Sequence, residues 1–242
     1  MVHPDSPGRP AGAFIFDLDG TLVDSRQDIA AAANVARAAC GLPPLPEPVL
    51  TGYVGDGVAL LLRRALGHDL AAGPAGAPGL LAPDDPRLEP ARVAYLEHYG
   101  RHLLDHTRAY DDVPRLLERL AGVPLLVATN KPGRFSEAIL AGLGLGHHFR
   151  RVVGSDQVAA RKPDPAHLRA CLEGLDVAPA DVVVVGDSPN DIRAARGLGA
   201  VAVGVTWGLV PAGVLRDERP DHLIGSPLEL AALYPPRRKE NA

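Results

Sequence analysis

Residues 14–25 read Phe14-Ile15-Phe16-Asp17-Leu18-Asp19-Gly20-Thr21-Leu22-Val23-Asp24-Ser25, and the fold turns on them. The stretch opens as a short apolar run, the mark of a buried strand. It stops at two aspartates one residue apart. Gly20 follows, a residue able to take turns closed to others. Core packing does not ask for such an ending, because an isolated buried carboxylate costs several kcal/mol or more. Paired carboxylates there need a cation or a chemical task. In open α/β sheets ligands bind at the carboxyl ends of strands, where Asp17 and Asp19 would stand. One carboxylate of such a pair can serve as a nucleophile and the other as a general acid and then a base. A surface turn is the competing reading, since Asp-Gly is a common turn dipeptide. The rest of the chain decides between the two.

From Val113 onward, helix and strand patterns alternate. A helix is expected over 113–120, a strand over 124–128 ending in Thr129-Asn130-Lys131, and a helix over 133–143 leading to Val152-Val153. A helix over 166–175 leads to the β-branched run 181–185, fit for a central parallel strand. That run ends in Gly186-Asp187-Ser188-Pro189-Asn190-Asp191; a helix over 191–197 and strands over 200–205 and near 222–224 complete the pattern. Repeated βα units imply a parallel sheet with helices on both faces, a doubly wound, Rossmann-like α/β core.

The stretch 25–108 breaks this alternation just after the first strand. A helix is expected from Arg26 to Cys40, with Ser25 and Asp28 spaced as in a capping box and Gly41 placed to end it. The loop Tyr53-Val54-Gly55-Asp56-Gly57 opens a helix over 58–66, where glycines can bring backbone N–H groups to an anion. Arg63 and Arg64 on that helix are candidates for a substrate's charged tail. Residues 71–90 read as a flexible excursion. A helix over 91–104 carries Tyr95, His98, Tyr99 and His102, and a packing face is favoured there over a metal site. The expected division is a core of residues 1–24 and 109–242 with an inserted helical cap, 25–108, able to close over the site as a lid.

With 242 residues, 46% of them hydrophobic, the chain can bury a sizeable core. Its 25 basic and 29 acidic side chains give a net charge of −4, which speaks against nucleic-acid or anionic-membrane binding. The two cysteines, Cys40 and Cys171, read as buried thiols without a disulfide framework. No apolar run reaches membrane-spanning length, and the start has no signal-peptide pattern. The expectation is a soluble cytoplasmic protein, a monomer or a homodimer, that neither binds nucleic acid nor enters a membrane.

Four strand ends thus carry polar residues: Asp17 and Asp19, Thr129 and Asn130, the 161–165 loop with Lys162, and Asp187 with Asp191. Each has a bland explanation: a helix cap, a surface lysine, a turn. Their coincidence does not. Carboxylates gathered in one cleft repel each other, and a hard divalent cation such as Mg²⁺ relieves this while keeping waters for a phosphate. Lys162 is a point charge suited to phosphate oxygens, and Thr129 supplies a hydroxyl. Together they suit phosphoryl transfer, where positioning and charge neutralisation dominate.

The segments Asp17–Ser25, Val127–Lys131, Arg161–Pro165 and Gly186–Asp191 resemble, in order, the four motifs of the haloacid dehalogenase superfamily. The resemblance implies that Asp17 becomes an aspartyl phosphate and that Asp19 protonates the leaving alcohol, then activates water. It implies that Thr129 and Lys162 hold the phosphoryl group. Mg²⁺ would be held by the Asp17 carboxylate, the Asp19 backbone carbonyl and Asp187, with Asp191 nearby or through water. Asp19 itself argues against a true dehalogenase. The insert position, Tyr53–Gly57, Leu62–Leu66, Thr129–Pro132 and Thr206–Gly208 resemble the phosphoglycolate phosphatase group. A small phosphorylated metabolite, 2-phosphoglycolate first, is then the expected substrate, bound by Asn130, Gly55, Asp56, Gly57 and Arg63. Related caps serve sugar phosphates, amino-sugar phosphates and pyrophosphate; a phosphomutase or a non-catalytic module on the same fold are further alternatives.

Overall fold

The computed structural model describes residues 11–70 and 79–234. Residues 71–78 of the expected excursion lie outside the described residues.

The chain starts with β1 (Ala13–Phe16), turns, and forms the short β2 (Val23–Asp24). Four helices follow: α1 (Arg26–Ala39), α2 (Glu47–Thr51), α3 (Val58–Gly67) and α4 (Leu88–Arg101). β3 (Arg108–Ala109) then pairs antiparallel with β2, Asp24 opposite Arg108. This ribbon brings the two ends of the helical insert together. The alternating part comprises α5 (Val113–Arg119), β4 (Leu125–Thr129), α6 (Gly133–Gly142), β5 (Arg151–Gly154), α7 (Ala166–Leu172) and β6 (Val182–Gly186). It ends with α8 (Pro189–Leu198), β7 (Val201–Val205), α9 (Ala212–Asp217), β8 (His222–Ile224) and α10 (Pro227–Leu233).

Six strands form one parallel sheet in the order β5-β4-β1-β6-β7-β8. β1 lies in the middle because its neighbours can bury both its faces. Phe14 and Phe16 point to one side, packing with Val127, Val183 and Val185. Ala13 and Ile15 point to the other, with Leu126, Val182 and Val184. This period-two alternation, apolar on both faces, is the parallel-sheet signature. Burying each large side chain contributes about 1.5–3 kcal/mol. Topology places the ends of β4, β1 and β6 side by side, and so gathers residues far apart in sequence.

α1 ends in a Schellman motif. Gly41 takes φ +70°, its N–H donates to Ala38 O at 3.0 Å, and the Leu42 N–H donates to Arg37 O at 3.0 Å. Arg37 is fully buried in the insert. Its Nε donates to Pro43 O at 2.7 Å and its Nη2 meets Asp69 Oδ2 at 2.7 Å, with Ala65 O as a third acceptor.

Several expectations need correction. Ser25 and Asp28 make no capping box: the Ser25 hydroxyl donates to Asp19, and Asp28 accepts from Thr107 and His106. α4 begins at Leu88 within the expected excursion, because Pro90 sits in the first turn, where a missing N–H costs nothing. α7 stops at Leu172, ahead of Gly174 at φ +72°. α8 starts at Pro189 with Ser188 as its N-cap, so Asp191 is its third residue rather than its first. Cys40 is half-buried and Cys171 buried, and both are free thiols. No described helix is long and apolar enough to cross a membrane.

Candidate active site

The β1 end is shaped by the turn that follows it. Gly20 takes φ +87°, and a Cβ there would lie 2.1 Å from Asp187 Oδ2. Only glycine lets the two aspartate-bearing strand ends approach so closely. Lys162, 3% exposed, bridges two of these carboxylates, with Nζ 2.8 Å from Asp17 Oδ1 and 2.6 Å from Asp191 Oδ1. Asp191 is held by the first turn of α8, its Oδ2 accepting from the Ser188 N–H at 3.1 Å and hydroxyl at 2.6 Å. Lys162 is fixed from behind. Its N–H donates to His167 Nδ1 at 3.3 Å, its carbonyl accepts from Asn130 Nδ2 at 3.0 Å, and the neutral His167 ring donates through Nε2 to Val153 O at 3.1 Å. Thr129 closes the β4 end. Its Oγ1 accepts from the Lys131 N–H at 3.1 Å and donates to no group among the described residues, so its hydrogen is left for a ligand.

The electrostatics follow from this crowding. Burial pushes Asp17 up to about 7; Lys162 opposes the rise, and Asp191 and Asp19 add to it. Burial also holds Asp187 well above the carboxylate range, reinforced by the charges of Asp17 and Asp191 and opposed by the Leu209 N–H at 2.7 Å. Burial pulls Lys162 down, but the two aspartates outweigh it and keep the ammonium. Oxygen atoms of Asp17, Asp187 and Asp191 lie within 4.8 Å of one another. Lys162 serves two of the three; among the described residues Asp187 has only the Leu209 N–H and a long contact from Thr21 Oγ1 at 3.5 Å. An all-oxygen donor set with surplus buried negative charge fits a hard divalent cation such as Mg²⁺.

Asp19 faces a different environment. Its Oδ1 accepts from Ser25 Oγ at 2.5 Å and from Lys131 Nζ at 2.6 Å. Lys131 also donates to the Tyr99 hydroxyl at 2.7 Å. A cavity of about 50 Å³ opens beside these groups, walled by both aspartates, Thr129, Asn130 and Lys131 from the sheet and by an apolar roof from the insert. Val54, Val58, Leu61, Tyr95 and Tyr99 form much of that roof. Burial raises the phenol pKa of Tyr99, with Asp19 and Asp28 adding to the effect, so it stays an O–H donor.

The structure therefore brings together Asp17, Asp19, Thr129, Lys162, Asp187 and Asp191, with Asn130 beside them. Gly55 and Gly57 line the cavity, and Gly55 turns its carbonyl to the core, accepting from Asn130 Nδ2 at 2.9 Å and Asn190 Nδ2 at 3.3 Å. The Asp56 carboxylate is not part of the wall: it pairs with Arg64 at 2.7 Å and accepts from Asn190 at 2.8 Å. Arg63 lies elsewhere. Its Nε donates to Leu81 O at 2.8 Å, a residue beyond the expected site, and the side chain has no part in the cavity wall. The rings of His98 and His102 stack with centroids 4.3 Å apart, and His102 pairs with Asp105. Sequence reasoning passed over Lys131 and Tyr99. Lys131 had one usable signal, its position two residues beyond Thr129 at a site-forming strand end.

A model of the haloacid dehalogenase-like hydrolases matches residues 11–199. The chain belongs to this family. This hydrolase is 39% identical over 234 residues to a phosphoglycolate phosphatase of Neisseria meningitidis, covering 94% of this chain and 96% of that one. It is 35% identical over 200 residues to an N-acetylmuramic acid 6-phosphate phosphatase of Pseudomonas aeruginosa, covering 82% and 83%. The crystal structure of a predicted phosphoglycolate phosphatase from Haemophilus somnus superposes with a TM-score of 0.81 at 30% identity, covering 92% and 97%. The hydrolase is thus of the phosphoric monoester class, similar to phosphoglycolate phosphatases.

Proposed function

We propose that this hydrolase is a Mg²⁺-dependent phosphatase for a small phosphate monoester, 2-phosphoglycolate first, working through a phosphorylated Asp17. The observation that carries the reading is Asp17 at the end of the central strand with Lys162 Nζ 2.8 Å from its Oδ1 and Asp19 two residues on. Burial works against the ionised Asp17 that a nucleophile requires, and Lys162 counters it. Thr129 and Lys162 are placed to bind the phosphoryl oxygens, the hydroxyl by its free hydrogen and the ammonium by charge. Asp17 attacks phosphorus and the ester oxygen leaves. Asp19, oriented by Ser25 and Lys131, gives that oxygen its proton and then takes one from the water that cleaves the acyl phosphate. Asp17, Asp187, the Asp19 carbonyl and, directly or through water, Asp191 would hold Mg²⁺. When bound, it supplies the positive charge that neutralises the transferring group.

Residues 25–108 serve as a cap over a core of 1–24 and 109–242. The contacts of Gly55 and Asp56 with Asn130 and Asn190 support closure of the insert on the sheet. The relatives' substrates, a phosphoglycolate and an N-acetylmuramic acid phosphate, leave the metabolite to be decided between a small acid and a sugar. The test is phosphate release with Mg²⁺ from 2-phosphoglycolate, sugar phosphates, amino-sugar phosphates and pyrophosphate. Preference for 2-phosphoglycolate supports the full reading. Preference for another ester retains the mechanism and rejects the substrate, and no release from any ester overturns the proposal.

A further inference from the structure

The cavity beside Asp19 has one charged donor, and the chemistry above gives it no direct part in the reaction. Lys131 is 7% exposed, and its Nζ spends two hydrogens, on Asp19 Oδ1 at 2.6 Å and on the Tyr99 hydroxyl at 2.7 Å. An ammonium carries three, so one remains. The Tyr99 hydroxyl accepts from Lys131 and donates to no group among the described residues, so its hydrogen also remains. Two unspent donors meet under a roof to which Val54, Val58 and Leu61 bring only apolar side chains. Among the described residues Lys131 is the one cation in the cavity wall.

We propose that Lys131, backed by the Tyr99 hydroxyl, reads a carboxylate on the alcohol side of the substrate, so that the enzyme selects phosphate monoesters of small hydroxy acids. The inference rests on the phosphatase reading and adds to it a specificity residue from the core, in place of Arg63. A carboxylate is an acceptor at every lone pair, which matches the two unspent hydrogens of Lys131 and Tyr99. Lys131 is placed to serve both ends: it orients Asp19 through one hydrogen and meets the substrate acid with another.

The test compares 2-phosphoglycolate with its uncharged amide, 2-phosphoglycolamide, in the native enzyme, Lys131→Met, Lys131→Arg and Tyr99→Phe. A charge-assisted hydrogen bond predicts a preference for the acid of about 10- to 100-fold in kcat/KM. Lys131→Met lowers turnover of both esters through Asp19, so the ratio is the readout. That ratio falls to near one, chiefly through the KM of the acid. Lys131→Arg keeps a preference for the acid, and Tyr99→Phe reduces it severalfold, which gives an answer even if Lys131→Met fails to fold. A merely structural lysine would slow both esters alike and leave the ratio intact; that result overturns the inference. So does a native enzyme that hydrolyses both esters without preference, though the phosphatase reading then stands. A native enzyme that releases phosphate from neither, nor from any other monoester, overturns both.

Discussion

Replacing Lys162 by methionine removes the only cation among the described residues in hydrogen-bond reach of Asp17 and Asp191, at 2.8 and 2.6 Å, in a site where it is 3% exposed. Breaking a buried ion pair by deleting one partner costs about 3–5 kcal/mol, because the other charge stays buried without compensation. Here two carboxylates are left, with Asp187 within 4.8 Å of them. Equilibrium urea denaturation followed by circular dichroism measures the loss. With a slope near 3 kcal/mol per molar, the upper end of the usual urea range and apt for a chain of this size, the midpoint should fall by roughly 1–2 M at pH 8 without Mg²⁺. The sign of the pH effect follows from linkage. Asp17 already stands near 7 with Lys162 opposing the rise, and without that lysine it goes higher. A carboxylate raised in the fold binds its proton before the unfolded chain does, so the variant regains stability as the pH falls through that raised value. Its deficit against the native protein should therefore shrink between pH 8 and pH 5.5, and Mg²⁺ at pH 8 should offset part of it. A deficit below about 1 kcal/mol at pH 8, or one indifferent to pH, refutes the reasoning, since the pair would then resemble an exposed one.

Asp28 accepts from the Thr107 N–H at 2.8 Å and hydroxyl at 2.7 Å and from His106, tying α1 to the return strand. Asp28→Ala should cost about 1.5–3 kcal/mol at neutral pH. Burial works to raise its pKa, but these bonds outweigh it and hold the carboxyl below its ordinary 3.8. The cost should be whole above about pH 4 and fade below it in urea titrations. His167 is held near 4, against an ordinary 6.5, by burial and then by Lys162. The unfolded chain takes that proton first, so the contribution of His167 is whole above pH 6.5 and falls by about 3 kcal/mol toward pH 4. The stability difference between the native protein and His167→Gln, measured from pH 7.5 to 4.5, should follow that window; a flat difference contradicts it. Chelating divalent cations should abolish turnover and Mg²⁺ restore it, whereas full activity in excess chelator removes the metal from the mechanism.

Much of this was legible in the sequence because the physics is local. An apolar run ending in Asp17-Leu18-Asp19-Gly20 has few uses other than a strand end at a site. The β-branched run before Gly186 reads as a central strand by the same logic. The positions of Asp187, Lys162 and Thr129 followed once the sheet was parallel and doubly wound. What escaped depends on tertiary contact. The β2–β3 ribbon is two residues a side, too short to show alternation. α2 was hidden by Pro46 and Pro48, which act as entry residues there rather than as breakers. Ser25 and Asp28 have the spacing of a capping box, yet each finds a stronger partner across the fold. Tyr99 looked like one more packing aromatic. Its role beside Lys131 exists only because α4 of the insert lies over the end of β4.

The most direct test of the central claim is to find which atom carries the phosphoryl group during turnover. Enzyme mixed with 2-phosphoglycolate and Mg²⁺ is acid-quenched within a turnover, digested, and read by mass spectrometry. The account predicts one phosphoryl group on the peptide containing Asp17, discharged by hydroxylamine and absent in Asp17→Asn. A phosphoryl group on another residue, or steady turnover retained by Asp17→Asn, would contradict it.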